Sequence, residues 1–206
     1  MQYHELKEKL KDFAVFTLAD IRKIEANFYR ARLNEWQSKG YIKKLRRGYY
    51  LFSDEPLSEE ALFLIANRLY EPSYVSLEMA FSRYGLIPES VYAVTSVTSK
   101  KASSFETPIA TFSYRQMKPG LLFGYRLESF RNQKYKIAEM EKAVLDYLYI
   151  NSDVANDAAF QGLRFNGEAF FAKVDIGRLS QYADAFNNKQ LRKRLDNFLD
   201  FLKRHK

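Results

Sequence analysis

The sequence of 206 residues predicts an α+β fold, and three patterns indicate it. First, helical patterns at 3–13 and 17–39 precede two tyrosine-rich, β-prone runs. Second, a run rich in valine and threonine at 91–98 alternates as a strand does. Third, strong helical patterns recur later, at 138–150, 175–186 and 189–204. We therefore expect helices to frame a small sheet.

The composition is that of a globular protein with a core, since 47% of the residues are hydrophobic and 16% aromatic. No run approaches the ~18 apolar residues of a membrane span. Residues 1–13 lack the long apolar segment of a signal peptide, so we expect a cytoplasmic protein with no membrane partner. The absence of cysteine excludes a disulfide framework and a thiolate metal site.

Positive charge is concentrated at the two ends of the chain, which has a formal net charge of +8. Residues 1–53 carry 12 Lys and Arg against 6 Asp and Glu, and residues 189–206 carry 7 against 2. The middle, residues 54–188, carries 14 against 17. A basic end on a nearly neutral body is typical of a nucleic-acid-binding module joined to another domain, although solubility alone could account for the C-terminal charge.

Residues 17–39 predict two short helices separated by a turn. Thr17 can cap the first helix, with Asp20 near the positive end of its dipole. Asn27 can cap the second helix, and Gly40 is its natural end because glycine adopts the left-handed conformation without steric cost. The pattern is that of a helix-turn-helix.

The second of these helices is predicted to bury one face and expose the other. Tyr29, Leu33 and Trp36 have the i, i+4, i+7 spacing of a buried row. The polar residues are then left facing outward: Arg30, Arg32, Asn34 and Gln37. Arginine and asparagine can each bond guanine or adenine through two hydrogen bonds in the major groove.

A basic hairpin follows the second helix. Gly48 supplies the permissive residue of a short turn between β-prone runs at 41–44 and 49–52, with Arg46 and Arg47 at the tip. Two helices and a two-stranded wing are the layout of a winged helix-turn-helix that binds DNA. The candidate DNA-contacting residues are Thr17, Asn27, Arg30, Arg32, Asn34, Lys44, Arg46 and Arg47. The alternative is a winged helix used only for protein contacts.

A domain boundary is predicted near Pro56, which gives a winged helix domain at 1–53 and a second, mixed α/β domain at 58–206. In the second domain Ser58 can cap a helix at 61–69, and Ser76 a helix at 77–84 that ends at Gly85. Residues 99–106 are predicted to form a polar loop. A small antiparallel sheet is expected, with strands at 91–98, 108–114, 120–127 and 134–137.

Several motifs resemble the AbiEi antitoxins of bacterial type IV toxin–antitoxin, or abortive-infection, systems. These motifs are Tyr-Val-Ser-Leu at 74–77, Tyr-Gly-Leu-Ile-Pro at 84–88 and Ala-Glu-Met-Glu-Lys-Ala-Val-Leu-Asp at 138–146. The resemblance implies that the N-terminal domain represses its own promoter by binding inverted repeats in double-stranded DNA, where two copies could pair. It also implies that the C-terminal domain counters a nucleotidyltransferase-like toxin, through direct contact or indirectly.

Two groups in the second domain are candidates for antitoxin function. Tyr74, Ser76 and Tyr84 could form a polar patch, or else a helix cap and buried tyrosines whose hydroxyls are satisfied. Lys100 and Lys101, with the basic last helix at 189–204, could extend the DNA footprint or bind an acidic partner or RNA, or else belong to a solvated face.

Nothing in the sequence predicts an enzyme, a cofactor or a metal site. Glu141 and Asp146 are five residues apart, about 140° around a helix, which does not place two carboxylates on one face. His4 and His205 lie at opposite ends of the chain, and no phosphate-binding glycine loop occurs. Two hypotheses follow: a DNA-binding repressor and antitoxin, or a protein–protein adaptor or RNA-associated factor that uses the basic surfaces.

Overall fold

A computed structural model describes residues 1–88 and 92–205. Within them the chain has a mixed α+β fold with two sheets. The first sheet is antiparallel, has the strand order β1-β3-β2, and packs with three helices. The elements of this N-terminal region are α1 (Tyr3–Lys9), β1 (Phe16–Thr17), α2 (Leu18–Ile24), α3 (Ala31–Ser38), β2 (Ile42–Arg46) and β3 (Tyr49–Phe52).

Local signals in the N-terminal region act as the sequence predicts. The Asp20 amide donates to the Thr17 hydroxyl at 3.2 Å, and the Thr17 amide donates to the Asp20 carboxylate at 2.9 Å, so Thr17 caps α2. Gly40, with φ of 72°, follows the end of α3, and Gly48, with φ of 89°, lies in the β2–β3 turn. Both glycines adopt the left-handed conformation that other residues disfavour.

The start of the second helix differs from the prediction. Helix α3 begins at Ala31 with Arg30 at its N-cap, so Asn27 is an exposed turn residue and does not cap it. Tyr29 therefore precedes the helix and is 73% exposed, whereas its neighbour Phe28 is buried. The prediction that Tyr29 belongs to the buried row is wrong, because the helical spacing does not extend back to its position.

The second sheet has six strands and is mixed, with the order β6-β7-β5-β4-β9-β8. Its strands are β4 (Ser73–Val75), β5 (Ala93–Thr98), β6 (Ser103–Glu106), β7 (Thr111–Gln116), β8 (Tyr125–Phe130) and β9 (Gln133–Ala138). The helices of this body are α4 (Glu59–Leu69), α5 (Glu78–Tyr84), α6 (Met140–Ile150), α7 (Asp157–Gly162), α8 (Gly167–Phe171), α9 (Ile176–Ala185) and α10 (Lys189–Arg204).

The predicted small antiparallel sheet is corrected in three ways. The pairs β5–β7 and β4–β9 are parallel. Strand β4 has only three residues, too few for an alternating pattern, and β6 lies in the segment expected to be a loop. The strand predicted at 120–127 begins at Tyr125, after a 3-10 turn at Pro119–Leu121. Val91, expected to begin a strand, lies outside the described residues.

The six-stranded sheet is covered on both faces. Helices α5, α6, α9 and α10 pack into one core, which includes Tyr74 and Val97. Helix α4 packs into the other, with Val75 and Phe112. Leu45 and Leu51 of the hairpin belong to that second core. The N-terminal region is therefore packed against the body rather than tethered to it by a free linker.

Polar contacts join the two regions as well. Arg68 of α4 pairs with Asp20 of α2 at 3.2 Å. Arg131, in the β8–β9 turn, donates to the Lys11 carbonyl at 2.6 Å. As predicted, Ser58 caps α4, accepting from the Ala61 amide at 3.3 Å. Among the described residues, no helix combines the length and the apolar character needed to cross a bilayer.

Candidate functional site

The outer side of α3 carries polar residues that are free to contact a ligand. Arg30 at the N-cap, Asn34 and Gln37 are exposed and follow the i, i+4, i+7 spacing of one face. Leu33 and Trp36 are buried on the opposite side. Helix α3 is thus anchored by its apolar face and presents a row that combines a cation with two amides.

Exposed cations accompany this row. Arg22 lies near the end of α2, Lys44 on β2 and Arg47 in the β2–β3 turn. Like Arg30, they make no ion pair within residues 1–88 and 92–205. We refer to these four residues and the α3 row as the cationic face: Arg22, Arg30, Asn34, Gln37, Lys44 and Arg47. Unpaired surface cations can approach phosphates without first breaking a bond within the protein.

Tyr29 stands immediately before this row, between the exposed Asn27 and Arg30. Its ring is 73% exposed. Spacing alone assigned Tyr29 to the core, and no sequence signal distinguishes it from Phe28, which occupies the core. The structure therefore adds Tyr29 to the candidate contact residues.

Three of the predicted contact residues are engaged within the protein. The Thr17 hydroxyl is bonded to Asp20 in the cap of α2. The guanidinium of Arg32 donates to the Met1 carbonyl and is half-buried. Arg46 does not lie free at the hairpin tip, so that part of the prediction is wrong.

Arg46 lies between the hairpin and the body. Its guanidinium is 4.1 Å from the centroid of the Phe105 ring and 6.0 Å from that of Tyr70. Its Nη1 donates to the Leu69 carbonyl at 2.9 Å. Charged hydrogen bonding and stacking on aromatic rings both favour this position over solvent. Arg46 thus holds the turn end of the hairpin to the body, and the neighbouring Arg47 is left exposed.

Lys100 and Lys101 lie beside this junction, in the connection between β5 and β6. The Lys100 ammonium is 5.4 Å from the centroid of the Tyr70 ring. The Tyr70 hydroxyl donates to the Lys101 carbonyl at 3.0 Å. Because Arg46 also contacts Tyr70, the fold brings these two lysines close to the turn end of the basic hairpin.

The centre of the body contains a buried polar group of four side chains: Tyr74, Ser76, Lys142 and Asp146. The hydroxyls of Tyr74 and Ser76 each donate to Asp146 Oδ2 at 2.8 Å. The Lys142 ammonium donates to Tyr74 at 2.8 Å and to Asp146 Oδ1. All four side chains are at most 1% exposed. We refer to them as the buried tetrad.

The charges of the tetrad are strongly influenced by burial. Burial raises the pKa of the Asp146 carboxyl, and the neighbouring Lys142 ammonium opposes that rise. Burial lowers the pKa of Lys142. Burial also holds the pKa of the Tyr74 hydroxyl well above its ordinary value, and the negative charge of Asp146 raises that pKa further. The hydrogen bonds and the ion pair offset part of the cost of removing these groups from water.

The tetrad contradicts one sequence prediction. Ser76 bonds Asp146 and does not cap α5, whose N-cap is Leu77 with φ of 63°. Lys142 pairs with Asp146, and its neighbour Glu141 bonds Arg178 at 3.1 Å. The i, i+4 spacing of Lys142 and Asp146 on an apolar helix is the sequence signal that could have identified this pair.

Tyr84 lies apart from the tetrad. Its hydroxyl donates to the Ala138 carbonyl at 2.6 Å, and burial raises its pKa to about 12. Tyr74, Ser76 and Tyr84 thus have satisfied hydroxyls, as the structural alternative for the tyrosines predicted, although Ser76 does not supply the helix cap of that alternative. Tyr74 and Ser76 are too deeply buried to touch a partner directly.

Among residues 1–88 and 92–205, no cluster of three or more His, Asp or Glu side chains could hold a metal ion. No protein-family model matches the chain, and comparison with curated proteins finds no match either.

Proposed function

We propose that the protein is a DNA-binding transcriptional repressor whose N-terminal region acts as a winged helix-turn-helix. The observation that carries this proposal is the cationic face, which combines an exposed Arg–Asn–Gln row on α3 with exposed cations of the N-terminal region that make no ion pair among the described residues. The order of α1, β1, α2, α3 and the β2–β3 hairpin suits a DNA-binding winged helix-turn-helix, since α3 would enter the major groove and the hairpin would flank it.

The roles of the residues follow from their chemistry. Arg30 and Asn34 would read guanine and adenine edges, and Tyr29 would contact an apolar edge such as the thymine methyl. Lys44 and Arg47 would contact phosphates, which supply affinity without sequence preference. Lys100 and Lys101 would extend the phosphate contacts beyond the N-terminal region.

The resemblance to AbiEi antitoxins supports the wider proposal that this repressor is the antitoxin of a toxin–antitoxin operon in the cytoplasm. In that proposal two copies bind inverted repeats in the promoter of the operon. The body would counter a nucleotidyltransferase-like toxin, by contact or indirectly. The buried tetrad would then serve by holding β4 against α6 rather than by touching the toxin.

A salt titration on the duplex upstream of the gene tests DNA binding. We expect affinity to fall steeply with salt, since each neutralised phosphate contributes about −0.9 to the slope of log K against log salt. Arg30→Ala should reduce the preference for the upstream duplex over a scrambled duplex by about tenfold, because each bidentate base contact contributes roughly 1–3 kcal/mol. Lys193→Ala is the matched control, since Lys193 is an exposed cation on α10.

Two outcomes would contradict this assignment. One is equal affinity of the parent protein for the upstream and the scrambled duplex at every salt concentration. The other is an equal loss of preference in Arg30→Ala and Lys193→Ala. Tighter binding to RNA than to DNA would favour the second candidate, an RNA-associated factor that uses the same exposed cations.

A further inference from the structure

A narrow cleft opens in the six-stranded sheet where β4 and β9 separate. These parallel strands pair at Val75 opposite Ile137. On the N-terminal side of that pair, Asn67 of α4 takes the place of a strand partner. Its Oδ1 accepts from the Lys136 amide at 2.6 Å, and its Nδ2 donates to the Lys136 carbonyl at 3.3 Å. The cleft lined by these residues has a volume of about 210 Å³.

More cations than anions line the cleft. Arg68, Lys134 and Lys136 contribute positive charge, and Glu71 is the carboxylate among the lining side chains. Arg68 is shared with Asp20, at 3.2 Å. Lys134 and Lys136 make no ion pair in the part of the chain that the structure describes. The Lys136 ammonium lies 5.3 Å from the centroid of the Tyr125 ring, which leaves Lys134 as the cation available to a bound anion.

One lining side chain is buried and has no hydrogen-bond partner. Ser73, at the start of β4, is 4% exposed, and its Oγ bonds to no described group. Buried hydroxyls in folded proteins are nearly always bonded, so an orphan of this kind requires an explanation. A ligand oxygen in the cleft would accept the Ser73 proton and would also be attracted by the lysines.

We propose that the cleft binds a phosphate group. Its volume lies below the roughly 300–1,000 Å³ of sites that enclose whole organic ligands, so it suits a compact anion or the phosphate end of a larger molecule. Ser73 donates to one phosphate oxygen, and Lys134 binds another by a charge-assisted hydrogen bond. None of these residues belongs to the cationic face, so this proposal does not rest on the proposed DNA binding.

Calorimetric titration of the full chain tests the site, with inorganic phosphate and with adenosine 5′-monophosphate as probes at constant ionic strength. We expect saturable binding at one site per chain. Lys134→Ala and Ser73→Ala should each weaken it by about tenfold, the effect of losing one charge-assisted hydrogen bond. Lys193→Ala, which removes a cation far along the chain, should bind as the parent does.

A thermal measurement separates a binding role for Ser73 from a structural one. Without phosphate, Ser73→Ala should melt at the same or a higher temperature than the parent, because it removes an unsatisfied buried hydroxyl. Tighter binding of the nucleotide than of inorganic phosphate would assign the site to a nucleotide or a nucleic-acid end, and equal binding would assign it to the free anion. Binding of neither probe, or equal binding by all four proteins, would overturn the proposal.

Discussion

The lysines and arginines of this protein are used in opposite ways in its two regions. On the cationic face, Arg30 and Arg47 are exposed and unpaired among the described residues. In the body, Lys142 is fully buried and bonded to Tyr74 and Asp146. An exposed cation adds little to stability and remains available to a ligand, whereas a buried one contributes to the fold and cannot reach a ligand. Charge alone therefore does not identify a binding residue.

The same contrast occurs within one dipeptide. Arg46 stacks on Phe105 and bonds the Leu69 carbonyl, while Arg47 lies exposed in the turn. The difference arises because Arg46 ends β2 against the body, whereas Arg47 lies in the turn that follows. Substitutions at Lys142, Arg46 and Arg47 should accordingly have a large, an intermediate and a small effect on stability, respectively.

The largest effect is expected for Lys142→Met, which leaves the Asp146 carboxylate buried without its cation. Breaking a buried pair from one side typically costs about 3–5 kcal/mol of unfolding free energy. The double variant Lys142→Met, Asp146→Asn should recover most of that loss, because the amide oxygen still accepts from Tyr74 and Ser76 and no charge remains. Urea unfolding of the parent, single and double variants measures both values.

The same variant should show a characteristic pH dependence. Burial raises the pKa of Asp146, and Lys142→Met removes the ammonium that opposes the rise. A carboxyl whose pKa is higher in the folded state than in the unfolded state favours folding at low pH, and this contribution is lost as the pH rises through the folded pKa. The deficit of Lys142→Met should therefore shrink as the pH falls from 7 toward 5. A deficit that does not change with pH would mean that altered packing, not charge, is the cause.

An intermediate effect is expected for Arg46→Ala. It removes a charged hydrogen bond to Leu69 and the stacking on Phe105, which together contribute about 1–3 kcal/mol. Arg46→Lys should lose part of this, since an ammonium lacks the planar face of a guanidinium. If urea midpoints of both variants matched the parent, Arg46 would not hold the hairpin to the body.

The smallest effect on stability is expected for Arg47→Ala, within about 0.5 kcal/mol, because the side chain is exposed and unpaired. The affinity of the Arg47→Ala protein should fall by a similar factor for every duplex, and the magnitude of its salt slope should decrease by about one. Measuring unfolding and DNA binding for both Arg46→Ala and Arg47→Ala compares two neighbouring residues of equal charge. A larger loss of stability in Arg47→Ala than in Arg46→Ala would contradict the roles given to these two residues.

Local signals were enough to predict several elements. The Thr17 cap, the Ser58 cap and the glycines at 40 and 48 act within a few residues, and each lies where its pattern indicated. The cap assigned to Ser76 failed because a distant carboxylate, Asp146, competes for its hydroxyl. The orientation of Tyr29 could not be predicted, since either of two adjacent aromatic residues could fill the core.

By itself the sequence determined the α+β composition, most helix ends and the concentration of positive charge near the N terminus, because these depend on neighbours along the chain. Only the tertiary structure decided which cations are free, which strands run parallel, and where Ser73 and the tetrad lie. Those outcomes depend on residues far apart along the chain, such as Tyr74 and Asp146, which are 72 positions apart and meet only after β4 packs against α6.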